Sequence, residues 1–357
     1  MCIMIGYSFS KIFNHKSGWY CGDFHAHSNA SDDGDYSPTM VAGIARTEGL
    51  DFITITDHNT IKGLSELDEN LDFLIIPGIE VTLDRGHFNV FGTGEWCQWM
   101  ERVCVSQNAI PLPDEYQMVS ELMYQISKEG LLNSINHPRL HPWEWLYNNT
   151  DLRYVHCVEL WNDLFWPDNV HANPKTVELW TDWLNAGYRV TAIGGSDYHY
   201  PPKPELGLPG ERLGYPTTYV YAVQLSVDAI LEGLRRRRAY VSCGPQVTFQ
   251  AAIGGTTYMI GDDLGEQEGE IEFTITILDK PEKISAQIIK NGKVLAIEKL
   301  HGRETSTQFH DQANPARSDW YRLDVEDMDG HVLVITNPIF VNSRQRTAPY
   351  FWDGPSI

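Results

Sequence analysis

Between residues 19 and 245, short apolar runs alternate with longer polar stretches that are compatible with helices. The apolar runs are five to seven residues long, as at 52–56, 73–79, 131–136 and 189–193. Short runs bounded by turn residues are typical of buried strands. Strand, helix and strand in this order predict parallel pairing, and about seven such units can close into a barrel. The ligand site of such a barrel would lie at the carboxyl ends of its strands.

Local signals place helices between these strands. Ser37 and Pro38 favour a helix start, as an N-cap and a first helical residue. Gly130 and Gly187 are typical of the residues that follow a helix end. Further helices are predicted at 116–129, 175–185 and 226–234.

The pattern changes after Gly244 and Pro245, where apolar and polar residues alternate without an intervening helix pattern. The alternating segments are 246–253, 270–278, 284–290, 320–326 and 332–335. Asn291-Gly292 and Asp329-Gly330 are hairpin signals. We therefore predict a C-terminal antiparallel β-sandwich of about 100 residues. The predicted domains are an N-terminal tail (1–18), the barrel (19–245), the β-sandwich module (246–345) and a C-terminal tail (346–357).

Histidines and acids cluster just past the strand-like runs of the barrel. His25 and His27 lie two residues apart on an extended segment, so both imidazoles project to the same side. Imidazole combined with carboxylate suits zinc, manganese or iron better than calcium or magnesium. We therefore predict a metal cluster at one end of the barrel. The candidate ligands are His25, His27, Asp32, His58, Glu80, His87, His137, Asp197 and His199.

Each candidate has a structural alternative. A single histidine near a strand end is often a hydrogen-bonded polar residue, and His87 could be partly buried in a strand. Asp33 could replace Asp32, because the two are adjacent. Four further polar residues could orient ligands or make only strand-end hydrogen bonds. These four are Asp23, Asp57, Asn136 and Glu159.

Five ordered motifs resemble the PHP (polymerase and histidinol phosphatase) superfamily over about residues 19 to 245. They are Gly22-Asp23-Phe24-His25-Ala26-His27, Thr56-Asp57-His58-Asn59, Gly78-Ile79-Glu80, Asn136-His137-Pro138 and Gly195-Ser196-Asp197-Tyr198-His199. Three further segments resemble its carbaryl-hydrolase-like branch. They are Val158-Glu159-Leu160-Trp161-Asn162, Gly244-Pro245 and Thr336-Asn337-Pro338-Ile339.

The resemblance implies a distorted (β/α)7 barrel that holds two or three divalent ions, and it assigns the ligands as follows. One ion would take His25, His27, Glu80 and Asp197. A second would share Glu80 and add His87 and His137. A third would take Asp32, His58 and His199. The family usually has a single Asp before the glycine, whereas this chain has Asp32-Asp33-Gly34, and the spacing from His27 favours Asp32.

The leading functional hypothesis is a metal-dependent hydrolase, specifically a phosphoesterase, acting on a small molecule. A hydroxide that bridges two divalent ions is a nucleophile at neutral pH. Glu80 would bridge two ions, His199 could donate a proton to the leaving group, and Arg139 could hold an anionic group. Alternatively, the same metals would hydrolyse an aromatic carbamate, ester or amide, or the barrel would be a non-catalytic scaffold with a partner-binding β module. Four tryptophans fit either a core or a pocket for an aromatic substrate: Trp143, Trp145, Trp161 and Trp166.

Composition and charge exclude several classes of function and location. A net charge of -21 argues against general nucleic-acid binding and against a polybasic membrane anchor. No apolar stretch is long enough to span a bilayer, and residues 1–10 lack signal-peptide features. Six cysteines without a CxxC pair fit a reducing compartment, so we expect a cytoplasmic protein. The basic run 235–238 suits the carbonyl end of a helix, with phosphate or partner binding as the alternative, and self-association through the β module stays open.

Overall fold

The structure, a computed structural model, describes residues 7–148, 150–203, 210–303 and 305–348, and the backbone of 351–352. Its strands are β1 (Gly18–Asp23), β2 (Phe52–Ile55), β3 (Leu74–Leu83), β4 (Gly86–Phe91), β5 (Leu132–Ile135), β6 (Thr150–Asp151), β7 (Cys157–Asn162), β8 (Thr191–Gly195), β9 (Thr217–Ala222), β10 (Ala239–Ser242), β11 (Gln246–Ile253), β12 (Thr256–Met259), β13 (Gly269–Leu278), β14 (Lys283–Lys290), β15 (Lys293–His301), β16 (Ser306–Ala313), β17 (Asp319–Asp327), β18 (Val332–Thr336), β19 (Ile339–Val341) and β20 (Phe351–Trp352). Its helices are α1 (Pro38–Thr47), α2 (Met100–Val103), α3 (Val119–Lys128), α4 (Asn169–Asn185) and α5 (Val227–Arg235). The fold is mixed α/β, with large sheets and few helices.

The larger sheet, called the first sheet below, has the strand order β15-β14-β17-β18-β10-β9-β1-β2-β3-β4-β5-β7-β8, with β19 paired to β17. It is not uniformly parallel, which departs from the expected series of βα units. Parallel pairs join β1 to β2 and β2 to β3, and again β5 to β7 and β7 to β8. Between these two sets, β4 lies antiparallel to both β3 and β5. Only Asp84 and Arg85 separate β3 from β4, and a two-residue connection permits a hairpin but no parallel crossover. On the other side of β1, strand β9 runs antiparallel to β1, and β10 runs antiparallel to β9.

The helices agree with their sequence signals except at the start of α4. Helix α1 begins at Pro38 as predicted, and the Ser37 hydroxyl accepts a hydrogen bond from the amide of Met40. Helix α4 begins at Asn169, six residues before the predicted start at 175, and contains Pro174. Pro174 lies early in the helix, where the loss of its N–H removes one backbone hydrogen bond.

The β8 edge of the first sheet lies beside β9 and β10, and side chains join them. The amide of Ala192 donates to Oδ1 of Asn337 at 2.8 Å. The Asn337 side-chain amide donates to the carbonyls of Ala192 (2.8 Å) and Ala239 (2.9 Å). The hydroxyl of Thr218 bonds both backbone groups of Gly194 on the same edge. The first sheet therefore curls until its edge strand β8 meets β9 and β10.

We expect Asn337→Ala to lower the free energy of unfolding by about 3 kcal/mol or more. Asn337 is fully buried, and its removal leaves the amide and the carbonyl of Ala192 without these partners, each costing about 1–3 kcal/mol. The carbonyl of Ala239 keeps only its bond from the backbone amide of residue 337. Urea denaturation followed by circular dichroism measures the change, with the exposed Asn70→Ala as the control. A loss below about 1 kcal/mol in the free energy of unfolding would show that these bonds do not hold β8 to β10.

The C-terminal strands extend the first sheet and add a second one. Strand β10 pairs with β18, so the sheet continues into β17, β14 and β15 across the predicted boundary near Pro245. A second sheet has the order β12-β11-β13-β16. One apolar cluster joins the two sheets, including Phe249 and Phe273 from the second and Ile288 and Leu323 from the first. The predicted Asn291-Gly292 turn joins β14 to β15, with Asn291 at a φ of 50°. Among the described residues, no helix is long and apolar enough to cross a membrane.

Candidate metal centre

The predicted ligands meet at one end of the first sheet. His25 and His27 follow β1, His58 follows β2, and His137 follows β5. Asp197 and His199 follow β8, while Glu80 and His87 lie within the β3–β4 hairpin. The hairpin brings Glu80 and His87 to the same end because its strands run past the ends of their neighbours. Eight of the nine predicted ligands therefore lie together, the exception being Asp32.

Glu80 lies at the centre of the cluster, and its side chain is 1% exposed. Its Oε1 lies 3.3 Å from His87 Nδ1, 3.4 Å from His25 Nε2 and 3.6 Å from His137 Nε2. Its Oε2 lies 2.7 Å from His58 Nδ1 and 3.7 Å from His27 Nε2. Burial raises the pKa of Glu80, but the positive charges of the surrounding histidines outweigh this effect and hold it well below its usual range. One carboxylate therefore contacts five imidazoles.

Three overlapping groups have ligand atoms that all lie within 4.8 Å of one another. They are His25 with His27 and Glu80; Glu80 with His87 and His137; and His27 with Asp33, His58 and His199. Asp197 joins the first group, because its Oδ1 lies 3.1 Å from Nε2 of both His25 and His27. The grouping differs from the predicted one in two members: Asp33 takes the place of Asp32, and His27 also lies in the third group.

The structure brings Asp33, rather than the predicted Asp32, to the third group. Oδ2 of Asp33 lies 3.3 Å from His58 Nε2 and 3.6 Å from His199 Nε2. Their charges hold the pKa of Asp33 well below its usual value, although burial opposes the shift. Within the described residues, Asp32 belongs to none of the ligand groups. Asp32 and Asp33 lie in a turn closed by a hydrogen bond from the amide of Gly34 to the carbonyl of Ser31, so spacing alone did not distinguish them.

The pair Asp33→Asn and Asp32→Asn tests this placement. We expect Asp33→Asn to bind about one metal equivalent fewer than the wild type, because an amide is a poor ligand for these ions. Asp32→Asn is the matched control and should keep the full content. Elemental analysis of both variants measures the difference. The opposite result, loss only in Asp32→Asn, would return the assignment to Asp32.

Two of the clustered residues have backbone angles that side chains rarely adopt. The φ of His137 is 30° and that of Asp197 is 53°. Residues other than glycine in this region carry strain, which is common where a side chain must be aimed at a site. Gly195 precedes Asp197 and must be small, since a Cβ there would lie 2.4 Å from His25 Cβ. The backbone at the end of β8 therefore packs directly against His25.

The buried carboxylate of Glu159 orients two of the clustered histidines, His25 and His137. His25 Nδ1 lies 2.9 Å from Oε1 of Glu159, which also accepts the amide of His137 through Oε2. Burial lowers the pKa of His25, but the charges of Asp197, Glu159 and Glu80 outweigh it and raise the pKa well above its usual value. A cation, whether a proton or a metal ion, is therefore strongly favoured at His25.

The other three polar residues of uncertain role also make specific hydrogen bonds. Asp23 accepts from the Ser196 hydroxyl at 2.5 Å and from the Gly214 amide at 2.7 Å. Asp57 accepts from the amide of Ser28 at 2.6 Å and from its hydroxyl at 2.8 Å. Burial raises the pKa of both Asp23 and Asp57 to about 6, although these bonds oppose the shift. Asn136 donates to Oε1 of Glu80 at 2.8 Å. These residues hold the loops and the central carboxylate in place.

The cluster opens into a cleft of about 420 Å³. Trp143 and Trp166 form part of its wall, with their ring centroids 5.7 Å apart in an edge-to-face arrangement. Trp145 and Trp161 lie in the apolar core instead. The four tryptophans therefore divide between the two roles that the sequence left open.

Arg139 does not line the cleft in the described part of the chain. It is half-buried near Glu178 and Asp182 of α4, whose charges raise its pKa against the larger lowering effect of burial. None of the described residues that line the cleft is a lysine or an arginine. Any positive charge that attracts a substrate must therefore come from bound ions or protonated histidines.

Two acids in the cleft were not among the predicted residues. Glu211 accepts hydrogen bonds from the amides of His199 and Tyr200, and burial raises its pKa to about 9. Asp163 follows β7, and burial raises its pKa to about 7. Asp163 does follow an apolar run, so its position was a usable signal. Glu211 reaches the site from a long loop and offered none.

Two solved structures resemble the whole or part of this chain. One is a two-domain protein of Bacteroides vulgatus that contains a predicted PHP-like metal-dependent phosphoesterase. It is 18% identical in sequence to this chain, with a TM-score of 0.46. The match covers 97% of this chain and 98% of that protein. The other is a proposed metal-dependent phosphoesterase of Bifidobacterium adolescentis; it is 15% identical, the match covers 60% of this chain and 95% of that one, and the TM-score is 0.42. No family model and no curated protein matches the chain.

Proposed function

We propose that this chain is a metal-dependent phosphoesterase of the PHP type, built as a distorted (β/α)7 barrel with a C-terminal β-sandwich. The observation that carries the proposal is the contact of one buried carboxylate, Glu80, with five imidazoles. A site built only for stability seldom gathers so many ligand atoms around one carboxylate, since four ligands close a structural zinc site.

Unpaired polar atoms support the fit of metal ions. His25 Nε2, Glu80 Oε2 and His137 Nδ1 are buried and make no hydrogen bond of suitable geometry, although Asp197 lies 3.1 Å from the first and His58 lies 2.7 Å from the second. Unsatisfied buried polar atoms are rare and costly in proteins, and an ion is one of the partners that satisfies them. If His25 donates from Nδ1 to Glu159, its Nε2 lone pair faces Asp197 and Glu80. Two negative groups facing a lone pair require a cation between them.

The donor set fits two or three first-row ions such as zinc, manganese or iron. His25, His27, Glu80 and Asp197 would hold one ion; Glu80, His87 and His137 a second; and Asp33, His58 and His199 a third. His199 Nδ1 lies 2.6 Å from the carbonyl oxygen of Asp197, which can only accept, so the proton of a neutral His199 lies on Nδ1. Its Nε2 is then free to bind an ion, which favours a ligand role over proton donation.

The residues around the ions would have two further roles: they would neutralise part of the ionic charge, and they would donate hydrogen bonds to the substrate. Bound ions would lower the pKa of water to about 7 and polarise a phosphoryl oxygen. Glu80 and Asp197 neutralise part of the ionic charge, and three carboxylates against three divalent ions leave an excess that attracts a phosphate. Asp163 and Glu211 line the cleft with pKa values raised by burial to about 7 and about 9. In their protonated forms, which burial favours, these acids would donate hydrogen bonds to a phosphoryl or leaving oxygen.

A second candidate, hydrolysis of an aromatic carbamate or ester, is favoured by the cleft wall. Trp143 and Trp166 offer two partly exposed aromatic faces, and no described arginine or lysine lines the cleft to hold a phosphate. The same ions would polarise a carbonyl oxygen in this reaction. The two candidates differ in the bond that is cleaved and share the metal centre.

Substrates with one common leaving group separate these two reactions. The metal-loaded protein is assayed with the 4-nitrophenyl esters of phosphate, methylcarbamate and acetate, so that the same product is measured in each case. We expect kcat/KM to be highest for the phosphate monoester and activity to disappear after chelation. Preference for the carbamate or acetate would reject the phosphoesterase in favour of the second candidate. Absence of turnover in a protein that retains its metals would reject both.

A further inference from the structure

A second cavity, of about 400 Å³, lies at the opposite end of the strands from the metal centre. Its wall includes the first residues of three parallel strands: Leu132 of β5, Cys157 of β7 and Thr191 of β8. The other ends of β5 and β8 lead to His137 and Asp197. The length of the strands therefore separates this cavity from the proposed catalytic site.

The cavity is lined by an unusual concentration of guanidinium groups. Five arginines contribute to its wall, and no described lining residue is aspartate or glutamate. They are Arg153, Arg189, Arg235, Arg237 and Arg346. The whole chain has 48 acidic residues and only 27 lysines and arginines. Such a gathering of positive charge is therefore not what the average surface of this protein would produce, and it favours an anionic ligand.

Two of these arginines lie deep in the wall. The side chain of Arg189 is 8% exposed, and Nε of both Arg189 and Arg237 is buried without a hydrogen-bond partner. Arg189 pairs with Asp263 at 2.7 Å through its terminal nitrogen. Arg237 bonds only the carbonyls of Arg235 and Gly261, and no carboxylate of the described residues lies within 4 Å of it. The φ of Arg237 is 58°, a strained angle for arginine. The Arg237 guanidinium is partly buried and has no carboxylate partner among the described residues, so an anionic ligand would stabilise it.

The rest of the wall offers a neutral donor and an apolar surface. The amide of Asn133 donates to His156 Nδ1 at 3.3 Å, so the proton of a neutral His156 lies on Nε2 and can be donated. Burial lowers the pKa of His156 to about 4, which keeps the ring neutral. Leu152, Val190 and Tyr188 supply apolar contacts. The wall thus combines anion donors with room for an organic group.

We propose that this cavity binds a small organic phosphate, with the phosphate between Arg189 and Arg237 and the organic part against Tyr188 and Leu152. Guanidinium groups bind phosphate through paired hydrogen bonds in a fixed geometry, and several of them suit its multiple oxygens better than a single carboxylate. Arg235 and Arg346 add positive charge at the rim, while Arg153 pairs with Asp151 at 2.6 Å. The site is distinct from the metal centre, so occupancy does not depend on the proposed catalytic function.

Calorimetric titration of the chelated protein with phenyl phosphate and with inorganic phosphate tests the proposal. Chelation removes any phosphate binding by metal ions. We expect one phenyl phosphate per chain, and a Kd for inorganic phosphate that is at least severalfold weaker. Arg237→Gln should weaken binding about tenfold or more, because it removes a charged hydrogen-bond donor. Arg236→Gln is the matched control, since its side chain is 59% exposed and does not line the cavity.

Arg235→Gln is the second variant, because its side chain is 39% exposed and its replacement should preserve the fold. It should also weaken binding, by about threefold or more, as expected for a charge at the rim. No saturable binding to the chelated protein, or equal binding by Arg235→Gln, Arg237→Gln and Arg236→Gln, would overturn the proposal. Equal affinity for inorganic and phenyl phosphate would overturn the assignment of an organic ligand.

Discussion

Glu80→Gln is expected to lose at least two metal equivalents and to lower kcat/KM by on the order of 10³-fold or more. Glutamine keeps the shape of the side chain but removes the negative charge and one of the two ligand oxygens. Because Glu80 contacts five imidazoles, all three ligand groups depend on its charge directly or through a neighbour. Elemental analysis and turnover of the preferred substrate measure the two effects.

The control for Glu80→Gln is Glu268→Gln, which changes the same side chain at an exposed position of the C-terminal module. Circular dichroism should show that both variants fold. Full metal content and near-normal turnover in Glu80→Gln would contradict the role of Glu80 as the central ligand. A folded variant with normal metal content but no activity would limit Glu80 to a role in the reaction itself.

Glu159→Ala is expected to weaken metal affinity about 10- to 100-fold, although Glu159 is assigned no ion. The carboxylate lies 2.9 Å from His25 Nδ1 and accepts the amide of His137, so it orients two predicted ligands at once. Competition with a chromogenic chelator measures the affinity. Glu159→Gln should fall between the wild type and Glu159→Ala, because it keeps an acceptor but loses the charge.

A surface pair in the same chain provides the matched control. His141 and Glu144 are also 2.9 Å apart, but the His141 side chain is 83% exposed. Exposed ion pairs contribute little, so Glu144→Ala should leave metal affinity unchanged. If Glu159→Ala also left it unchanged, orientation of His25 by Glu159 would have no part in metal binding.

The sequence anticipated the site better than it anticipated the sheet. Most of the clustered residues follow a buried strand, and the end of such a strand is a position that can be located from the apolar pattern alone. Glu80 and His87 instead lie within β3 and β4. The hairpin of β3 and β4 was missed because both strands are buried, so neither shows the alternation typical of antiparallel pairs. Strand β15 was missed for the opposite reason: most of its residues are exposed, and no buried face appears in the sequence.

Contacts between distant loops could not be inferred from local patterns. Glu211 accepts a hydrogen bond from the amide of His199, and no local sequence pattern indicates this contact. The choice between Asp32 and Asp33 depends on a turn geometry that residue spacing does not encode. The arginines of the second cavity come from five separate positions, of which only the run 235–238 stood out in the sequence. Arg139 was adjacent to a motif but turned toward α4.

The most direct test of the central claim is elemental analysis of the wild-type protein, purified without a histidine tag and reloaded with zinc, manganese or iron. We predict two or three equivalents of metal per chain, because the ligand atoms form three overlapping groups around Glu80. Less than one equivalent after reloading with each metal, in a protein that is folded, would contradict a multinuclear metal centre and favour a non-catalytic scaffold.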